Sequence, residues 1–144
     1  MKFMVDEVTI RKRLVELRKN VGVLRRLRSL KFEEFSSSAE KIWSCEHGLQ
    51  ISIQIILDIG NQLLAEREEN DISDYADVIA GLGAAGILPK DFSQKIKQMA
   101  GFRNILVHEY TEIDLKEVYR VQENLSDFET FGKCIEAYLA ADKS

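Results

Sequence analysis

The chain has 144 residues, of which 45% are hydrophobic and 31% are charged, and Pro89 is its single proline. This length suits one domain that buries a core without metal or disulfide staples, and the composition excludes a disordered chain and argues against an all-β one. No apolar run approaches the roughly 20 residues that a membrane span needs, so we expect a single helical domain over residues 1–144 that makes no contact with a membrane.

Charge is unevenly distributed along the chain. Residues 1–31 hold ten Lys or Arg against three acids, a balance of +7, whereas the remainder carries −11 and the whole chain −4. A basic first helix on an acidic body is suited to attract nucleic acid or to dock on an acidic partner. A solvated, charged helix face explains the same pattern more simply. The start of the chain, MKFMVDEVTIRKRL, has acids where a signal peptide carries its apolar core, which predicts a cytoplasmic protein.

The first predicted helix runs from Val5 to about Leu30. Apolar residues recur in it at alternating steps of four and three, the spacing of one buried stripe on an amphipathic helix. The residues of this stripe are Ile10, Leu14, Leu17, Val21 and Leu24. A helix of this length needs a partner that covers its apolar face, and the next segment of the chain offers one.

The second predicted helix follows a serine cluster. Ser37 and Glu40 have the spacing of a capping box, which would open this helix, unless it starts earlier, near Phe32. Its apolar period continues to about Glu66, so the first two helices should form an antiparallel hairpin. We expect Gly60 to allow the close approach of a neighbouring helix, because it carries no side chain.

The third predicted helix is shorter and covers roughly Asp74 to Ala85, with Ser73 or Asp71 as its cap. Gly86 should terminate it, since glycine is the residue most often found just past the end of a helix. The segment before it, REENDIS, combines charges with turn-forming residues and separates it from the second helix.

Two further helices complete the prediction. The fourth has Pro89 at its first position and extends to about Val107, and the fifth runs from Leu115 through Tyr138, nearly to the end of the chain. No segment of strand length alternates with period two, and no internal repeat is visible. The expected architecture is therefore an all-α, up-and-down bundle of about five helices.

Most of the other residues with chemical potential fit structural roles. Three glycines lack the preceding strand and the lysine of a phosphate-binding loop, so we interpret them as helix-end and turn residues: Gly81, Gly83 and Gly86. Four potential zinc ligands lack the close local pairing of a metal site: Cys45, His47, His108 and Cys134. We therefore predict neither a metal nor a cofactor, and we expect both cysteines to be reduced core thiols.

A polar stripe interrupts the apolar pattern of the second helix. Gln54, Asp58 and Asn61 stand at positions i, i+4 and i+7, so they share one face of the helix. This face is either the solvent side of the helix or the wall of a polar cleft. The sequence leaves both interpretations open, and Asp58 and Asn61 are candidates for lining a cleft.

The stretch GFRNILVHEY gathers reactive side chains at the end of the fourth helix. Asn104 and His108 are one turn apart and share a face, whereas Arg103 lies about 140° away from His108 on an ideal helix. Arg103 would join them through its length, through an irregular helix end, or by crossing to a second copy of the chain. An alternative is purely structural, because basic side chains near a helix C-terminus stabilise the helix dipole.

This stretch resembles the Arg-x4-His-x-Tyr signature of the HEPN superfamily, and nearly the whole chain is similar to the HepT-like toxin branch of that superfamily. The similarity includes the segments LQISIQIILDIGNQLLAE, LGAAGILPKDFSQKIKQMAGFRN and YTEID. The resemblance implies a homodimeric helical bundle that acts as a metal-independent endoribonuclease toxin. It also implies a minimal nucleotidyltransferase antitoxin, encoded beside the toxin, that silences it by adenylylating the motif tyrosine, here Tyr110.

The residue types suit RNA cleavage without metal, in which the RNA's own 2′-hydroxyl attacks the neighbouring phosphorus. Arg103 is suited to clamp the phosphate, and His108 to transfer protons near neutral pH. Asn104 would orient the imidazole or the phosphate, and Tyr110 would contact the phosphate or a base. One histidine leaves the usual pair of acid and base incomplete, and a dimer cleft would supply a second His108.

Two other functions compete with this prediction. The chain could be a non-catalytic partner subunit or nucleotide-binding scaffold of a minimal nucleotidyltransferase, or a simple bundle dimer used for assembly. The complete set of Arg103, His108 and Tyr110 favours the ribonuclease, because a scaffold does not require it. A neighbouring nucleotidyltransferase gene would argue against the assembly role, and toxicity on expression would separate the nuclease from the scaffold.

Overall fold

The structure, a computed structural model, describes residues 6–67, 74–107, 116, 118, 119 and 124–141. Within these residues every regular element is a helix, in the order α1 Glu7–Arg28, α2 Phe32–Ser36, α3 Ala39–Glu66, α4 Tyr75–Ala84, α5 Lys90–Ile96, α6 Gln98–Val107 and α7 Ser126–Ala141. The all-α prediction is confirmed. No helix in the described part of the chain is both long enough and apolar enough to cross a membrane.

Helices α1 and α3 form the antiparallel hairpin that the sequence predicts. The predicted stripe of α1 is buried throughout: Ile10, Leu14, Leu17, Val21 and Leu24. The start of α1 lies beside the end of α3, where the Arg13 guanidinium donates to Gln62 Oε1 at 2.8 Å. The other end of α1 meets the first half of α3, where Leu24 packs against Gly48. Burial of these aliphatic side chains is the main force that holds the pair together.

Helix α3 is the centre of the molecule and packs against α1, α4 and α6, with smaller contacts to α2 and α7. Its Gly60 lies against α4, where an added Cβ would come within 2.7 Å of Val78 Cγ1 and 2.9 Å of Leu82 Cδ1. The predicted close approach of a neighbouring helix is therefore confirmed. A further face of α3 carries the polar side chains Gln54, Asp58 and Asn61.

The junction before α3 differs from the prediction in two respects. A short separate helix, α2, precedes it and anchors itself through the buried Phe35. The N-cap of α3 is Ser38, whose hydroxyl accepts from the Lys41 N–H at 3.3 Å. The predicted capping box of Ser37 and Glu40 is wrong, because Ser37 already serves as the C-cap of α2.

The termini of α4 and the start of α5 follow the predicted chemistry with small shifts. Asp74 caps α4 in place of Ser73 or Asp71, since its carboxylate accepts from the Asp77 N–H at 2.9 Å. Gly86 ends the helix with φ of 77°. The hydrogen bonds Gly86 N to Gly83 O and Ile87 N to Leu82 O complete a Schellman motif. Pro89 is the N-cap of α5 and not its first residue.

Two predicted helices are interrupted. The predicted fourth helix is divided into α5 and α6 at Lys97, which keeps right-handed helical angles, so the hydrogen-bonding pattern is interrupted while the conformation continues. The predicted fifth helix is helical at Lys116, Val118 and Tyr119 but passes through a turn at Asn124 and Leu125 before α7 begins. Asn and Ser near this turn favour local side-chain hydrogen bonds over a helix interior. The described part of the chain thus holds more and shorter helices than predicted.

Candidate functional site

Arg103 lies on α6 and reaches across to the polar face of α3. Its Nε donates a hydrogen bond to Gln54 Oε1 at 2.9 Å, although the two residues are 49 positions apart in the sequence. The Arg103 side chain is half-buried. Leu106 on the same helix is fully buried in the core, so the packing of α6 determines where the guanidinium lies.

Gln54 in turn donates from Nε2 to Asp58 Oδ1 at 2.8 Å, one turn further along α3. The guanidinium can only donate and an ionised carboxylate can only accept. These requirements fix the orientation of the amide, with its oxygen toward Arg103 and its nitrogen toward Asp58. We call this chain of three side chains the Arg103–Gln54–Asp58 relay. A neutral amide thereby separates the cation from the anion, and both ends of the amide are satisfied in a half-buried position.

The relay shows what part of the polar stripe on α3 contacts. Gln54 and Asp58 are half-buried and Gln54 is hydrogen-bonded to α6, so this part of the stripe faces α6, and its role as the wall of a cleft stays a prediction. Asn61, the third member, is exposed and lies on the solvent side. Gln54 has no assigned role in the sequence-based prediction. The sequence does contain a signal for Gln54. It is an amide that stands four residues before a carboxylate in an otherwise apolar helix.

The other residues of the predicted site are less completely placed. Asn104 belongs to α6, and the structure describes its backbone but not its side chain. His108 and Tyr110 lie outside the described residues. The structure therefore places Arg103 with Gln54 and Asp58. The arrangement of Asn104, His108 and Tyr110 around it stays a prediction.

Several arginines of the basic helix α1 are paired with other residues of the chain, one of them with Glu7 of the same helix. The ion pairs and hydrogen bonds are Arg11 with Glu7, Arg18 with Glu136, Arg25 with Glu129, and Arg28 with the Tyr119 hydroxyl. The Arg28 guanidinium also lies 4.5 Å from the centre of the Tyr119 ring, a cation–π contact. Two of these arginines join α1 to α7, and the role of the basic helix as a docking surface stays a prediction.

Both cysteines are free thiols. Burial raises the pKa of Cys45 from 9.0 to about 12, and burial also raises the pKa of Cys134. Neither thiol is therefore activated as a nucleophile near neutral pH. In the described part of the chain, no three His, Cys, Asp or Glu side chains cluster as metal ligands would.

Known proteins share sequence similarity with most of this chain. The sequence profile of the family described as ribonuclease HepT-like matches residues 17–135. The chain is 26% identical over 136 residues to the tRNA nuclease HepT of Aphanizomenon flos-aquae, a match that covers 94% of this chain and 92% of that protein. It is 32% identical over 90 residues to the mRNA nuclease HepT of Shewanella oneidensis, a match that covers 62% of this chain and 68% of that protein.

The fold is also similar to that of a solved toxin. The tri-AMPylated HEPN toxin of Shewanella oneidensis, solved in complex with its MNT antitoxin, superposes with a TM-score of 0.80 at 24% identity. The superposition covers 89% of this chain and 96% of the toxin chain. The likeness of structure supports the fold, and the profile match extends over most of the sequence. The chain belongs to the ribonuclease HepT-like family.

Proposed function

We propose that this chain is the toxin of a toxin–antitoxin pair, a cytoplasmic endoribonuclease that cuts RNA without a metal ion. Membership of a ribonuclease family supports the reaction class. The observation that carries the proposal is the hydrogen bond of Arg103, the first residue of the signature, to Gln54 across the contact of α6 with α3, and we propose that a polar cleft lies there. Arginine in such a cleft is suited to bind a phosphodiester through two parallel hydrogen bonds.

The proposed reaction uses the RNA as its own nucleophile. The 2′-oxygen attacks the adjacent phosphorus and gives its proton to one His108, while the bond from phosphorus to the 5′-oxygen breaks. The departing oxygen takes a proton from a second imidazole, which leaves a 2′,3′-cyclic phosphate and a 5′-hydroxyl. Arg103 stabilises the charge that develops on the phosphoryl oxygens, and Asn104 orients the imidazole or the phosphate.

The second imidazole in this scheme comes from a second copy of the chain. Each copy contributes one signature, so a symmetric dimer whose α6 ends face the two-fold axis brings two copies of Arg103 and His108 into one cleft. The physical reason for the dimer is the proton balance, since one histidine cannot hold and release the two protons at the same moment. A single chain on its own would lack either the acid or the base.

Regulation is proposed to act through Tyr110. The Shewanella toxin with a similar fold is tri-AMPylated and bound to an MNT antitoxin. We propose that a cognate minimal nucleotidyltransferase transfers AMP to the Tyr110 hydroxyl of this chain, with release of pyrophosphate from ATP. Each AMP adds a negative phosphodiester and a bulky base two residues after His108. Like charge then repels the RNA backbone and the added volume blocks the cleft.

Incubation of the unmodified chain with labelled RNA in the presence of EDTA tests the nuclease directly. We expect cleavage products that end in cyclic phosphate, and we expect Arg103→Ala and His108→Ala to lose cleavage while retaining the helical circular dichroism and melting temperature of the parent. A strict requirement for divalent metal, or full activity of both variants, would contradict the mechanism. A chain that binds the nucleotidyltransferase but cuts no RNA would be the non-catalytic subunit.

Co-expression with the neighbouring nucleotidyltransferase tests the regulation. Intact mass spectrometry should show one or more added AMP units, which map to the peptide that contains Tyr110 and disappear in Tyr110→Phe. Modification at another residue, or none with an active partner enzyme, would refute this switch and leave the ribonuclease proposal standing.

A further inference from the structure

Trp43 is the single tryptophan of the chain, and its side chain lies on the surface of α3 with 70% of its area exposed. The other exposed large hydrophobic residues in the described part of the molecule are smaller and all belong to α1: Val8, Val15 and Val23. A lone exposed apolar residue needs no explanation by itself. The position of Trp43 relative to the Arg103–Gln54–Asp58 relay is the feature that indicates a function for it.

Trp43 shares one face of α3 with the relay. Helix α3 is continuous from Ala39 to Glu66, and positions 43, 47, 50, 54 and 58 fall within an arc of about 80° at roughly 100° per residue. Burial agrees with this geometry, because Trp43 and His47 are exposed while Gln50, Gln54 and Asp58 are half-buried. One surface stripe therefore leads from Trp43 to the guanidinium of Arg103.

The length of this stripe matches a strand of RNA and not a single nucleotide. Trp43 and Gln54 are 11 positions apart, which corresponds to about 16 Å along the helix axis at roughly 1.5 Å per residue. A strand whose scissile phosphate lies at Arg103 would reach Trp43 a few nucleotides away. The intervening side chains, His47 and Gln50, are hydrogen-bonding groups that can contact base edges.

The charges beside the stripe favour contact with bases over contact with phosphates. Glu40 and Glu46 flank Trp43 and His47 on α3, and their carboxylates repel a phosphodiester backbone. An indole, in contrast, stacks on any unpaired base, because every base presents an aromatic face. The bases of a duplex are already stacked on each other and are not available to an exposed indole.

We propose that Trp43 forms a base-stacking subsite for single-stranded RNA, connected by His47 and Gln50 to the phosphate site at Arg103. This inference rests on the proposed ribonuclease function and adds the strand state of the substrate and a contact remote from the cleaved bond. Single-stranded RNA is the proposed occupant because the surface stripe that contains Trp43 is continuous with the relay that contacts Arg103. A surface made for a second copy of the chain would also bury an exposed tryptophan, and the experiment separates that outcome.

The single tryptophan makes the test direct, since all indole fluorescence comes from Trp43. The probe is a short single-stranded oligonucleotide with 2′-O-methyl groups, which cannot be cleaved. We expect it to quench the fluorescence of the full chain and to protect it from iodide, whereas the same oligonucleotide in a duplex has no such effect. In fluorescence anisotropy, Trp43→Ala should weaken binding by about 5-fold to about 150-fold, while Trp43→Tyr retains most of the affinity.

A matched control is Val23→Ala, which removes exposed apolar surface from α1 and should leave binding unchanged. Equal affinity of the parent and Trp43→Ala, without quenching, would overturn the subsite. So would an emission blue shift that grows with protein concentration in the absence of RNA, because a second copy would then cover the indole. The titration requires no cleavage, so a chain that binds in this way but cuts nothing would refute the nuclease and leave the subsite intact.

Discussion

Gln54 helps to position Arg103 through the hydrogen bond that it accepts from the Arg103 Nε–H. Replacing Gln54 with Ala removes this acceptor and makes the position of the guanidinium less precise. We expect Gln54→Ala to lower kcat by about tenfold to a hundredfold, because a displacement of about 1 Å at a reacting group has an effect of that size. Asn61→Ala is the matched control, since Asn61 is exposed on the same helix outside the relay, and its activity should equal that of the parent. Unchanged kcat in Gln54→Ala would remove Gln54 from the mechanism.

The buried thiol of Cys45 should make the stability of the protein depend on pH. Burial raises the pKa of Cys45 above its ordinary value of 9.0 to about 12, so the folded protein holds this proton more tightly than the unfolded chain does. The contribution of Cys45 to the free energy of unfolding is therefore fully present below about pH 9 and is lost as the pH rises toward about 12. Urea unfolding should show a steeper loss of stability over this interval in the parent than in Cys45→Ala.

A maleimide reagent provides the independent control for the cysteines. At mildly alkaline pH it should label the half-buried Cys134 before the fully buried Cys45, and peptide mapping would identify the labelled site. In urea the two thiols should react at similar rates. Faster labelling of Cys45 in the folded chain would contradict the burial that raises its pKa.

The sequence predicts the members of the candidate site unequally. Arg103 is identified by a local signature, because Arg103, His108 and Tyr110 lie in one short segment of the sequence at a characteristic spacing. Gln54 could not be assigned a role, since its contact with Arg103 joins residues 49 positions apart. A local pattern shows that Gln54 and Asp58 share a face but not what that face meets. Only the packing of α6 against α3 shows that the stripe faces Arg103.

The contact between α3 and α4 yields a prediction at the scale of elements. Gly60→Ala would place a Cβ within 2.7 Å of Val78 Cγ1 and 2.9 Å of Leu82 Cδ1, so either these side chains must shift or the helices must separate. We expect the free energy of unfolding to fall by about 1–3 kcal/mol. Gly22→Ala on α1 is the matched control, because nothing lies within 4 Å of its added Cβ. This second substitution should stabilise the fold by about 0.5–1 kcal/mol through helix propensity. Urea unfolding of both variants measures these changes. Equal changes in the free energy of unfolding would contradict the tight packing at Gly60.

Helix interiors are predicted from this sequence better than helix ends. The apolar period of α1 identifies all five of its buried residues, because a long amphipathic stripe has one way to be covered. The ends depend on single hydrogen bonds, and Ser36, Ser37 and Ser38 are chemically equivalent as caps. The docking of Phe35 in the core decides among them, since it ends α2 and leaves Ser38 to open α3. The sequence also contains no local signal for the interruption at Lys97.

At the scale of the whole molecule, the uneven charge of the chain is partly neutralised by folding. Arg18 and Arg25 of α1 pair with Glu136 and Glu129 of α7, so the most basic and one of the acidic segments lie side by side. Exposed ion pairs of this kind contribute little to stability, typically about 0–1 kcal/mol each. Their effect is to orient α7 against α1.

The proposed dimer leads to a prediction about shared catalysis. If each cleft uses one His108 as base and the other as acid, a dimer of one parent chain and one His108→Ala chain should fall almost to the activity of the His108→Ala dimer. Two independent sites would instead retain about half of the parent activity, because symmetry makes the sites equivalent. Different affinity tags on the two chains allow the mixed dimer to be purified in two steps. A mixed dimer of parent and Asn61→Ala chains, prepared in the same way, should remain fully active. Retention of half the activity, or light scattering that shows only monomers at the assay concentration, would mean that one chain carries the complete site and that the second imidazole in the mechanism is wrong.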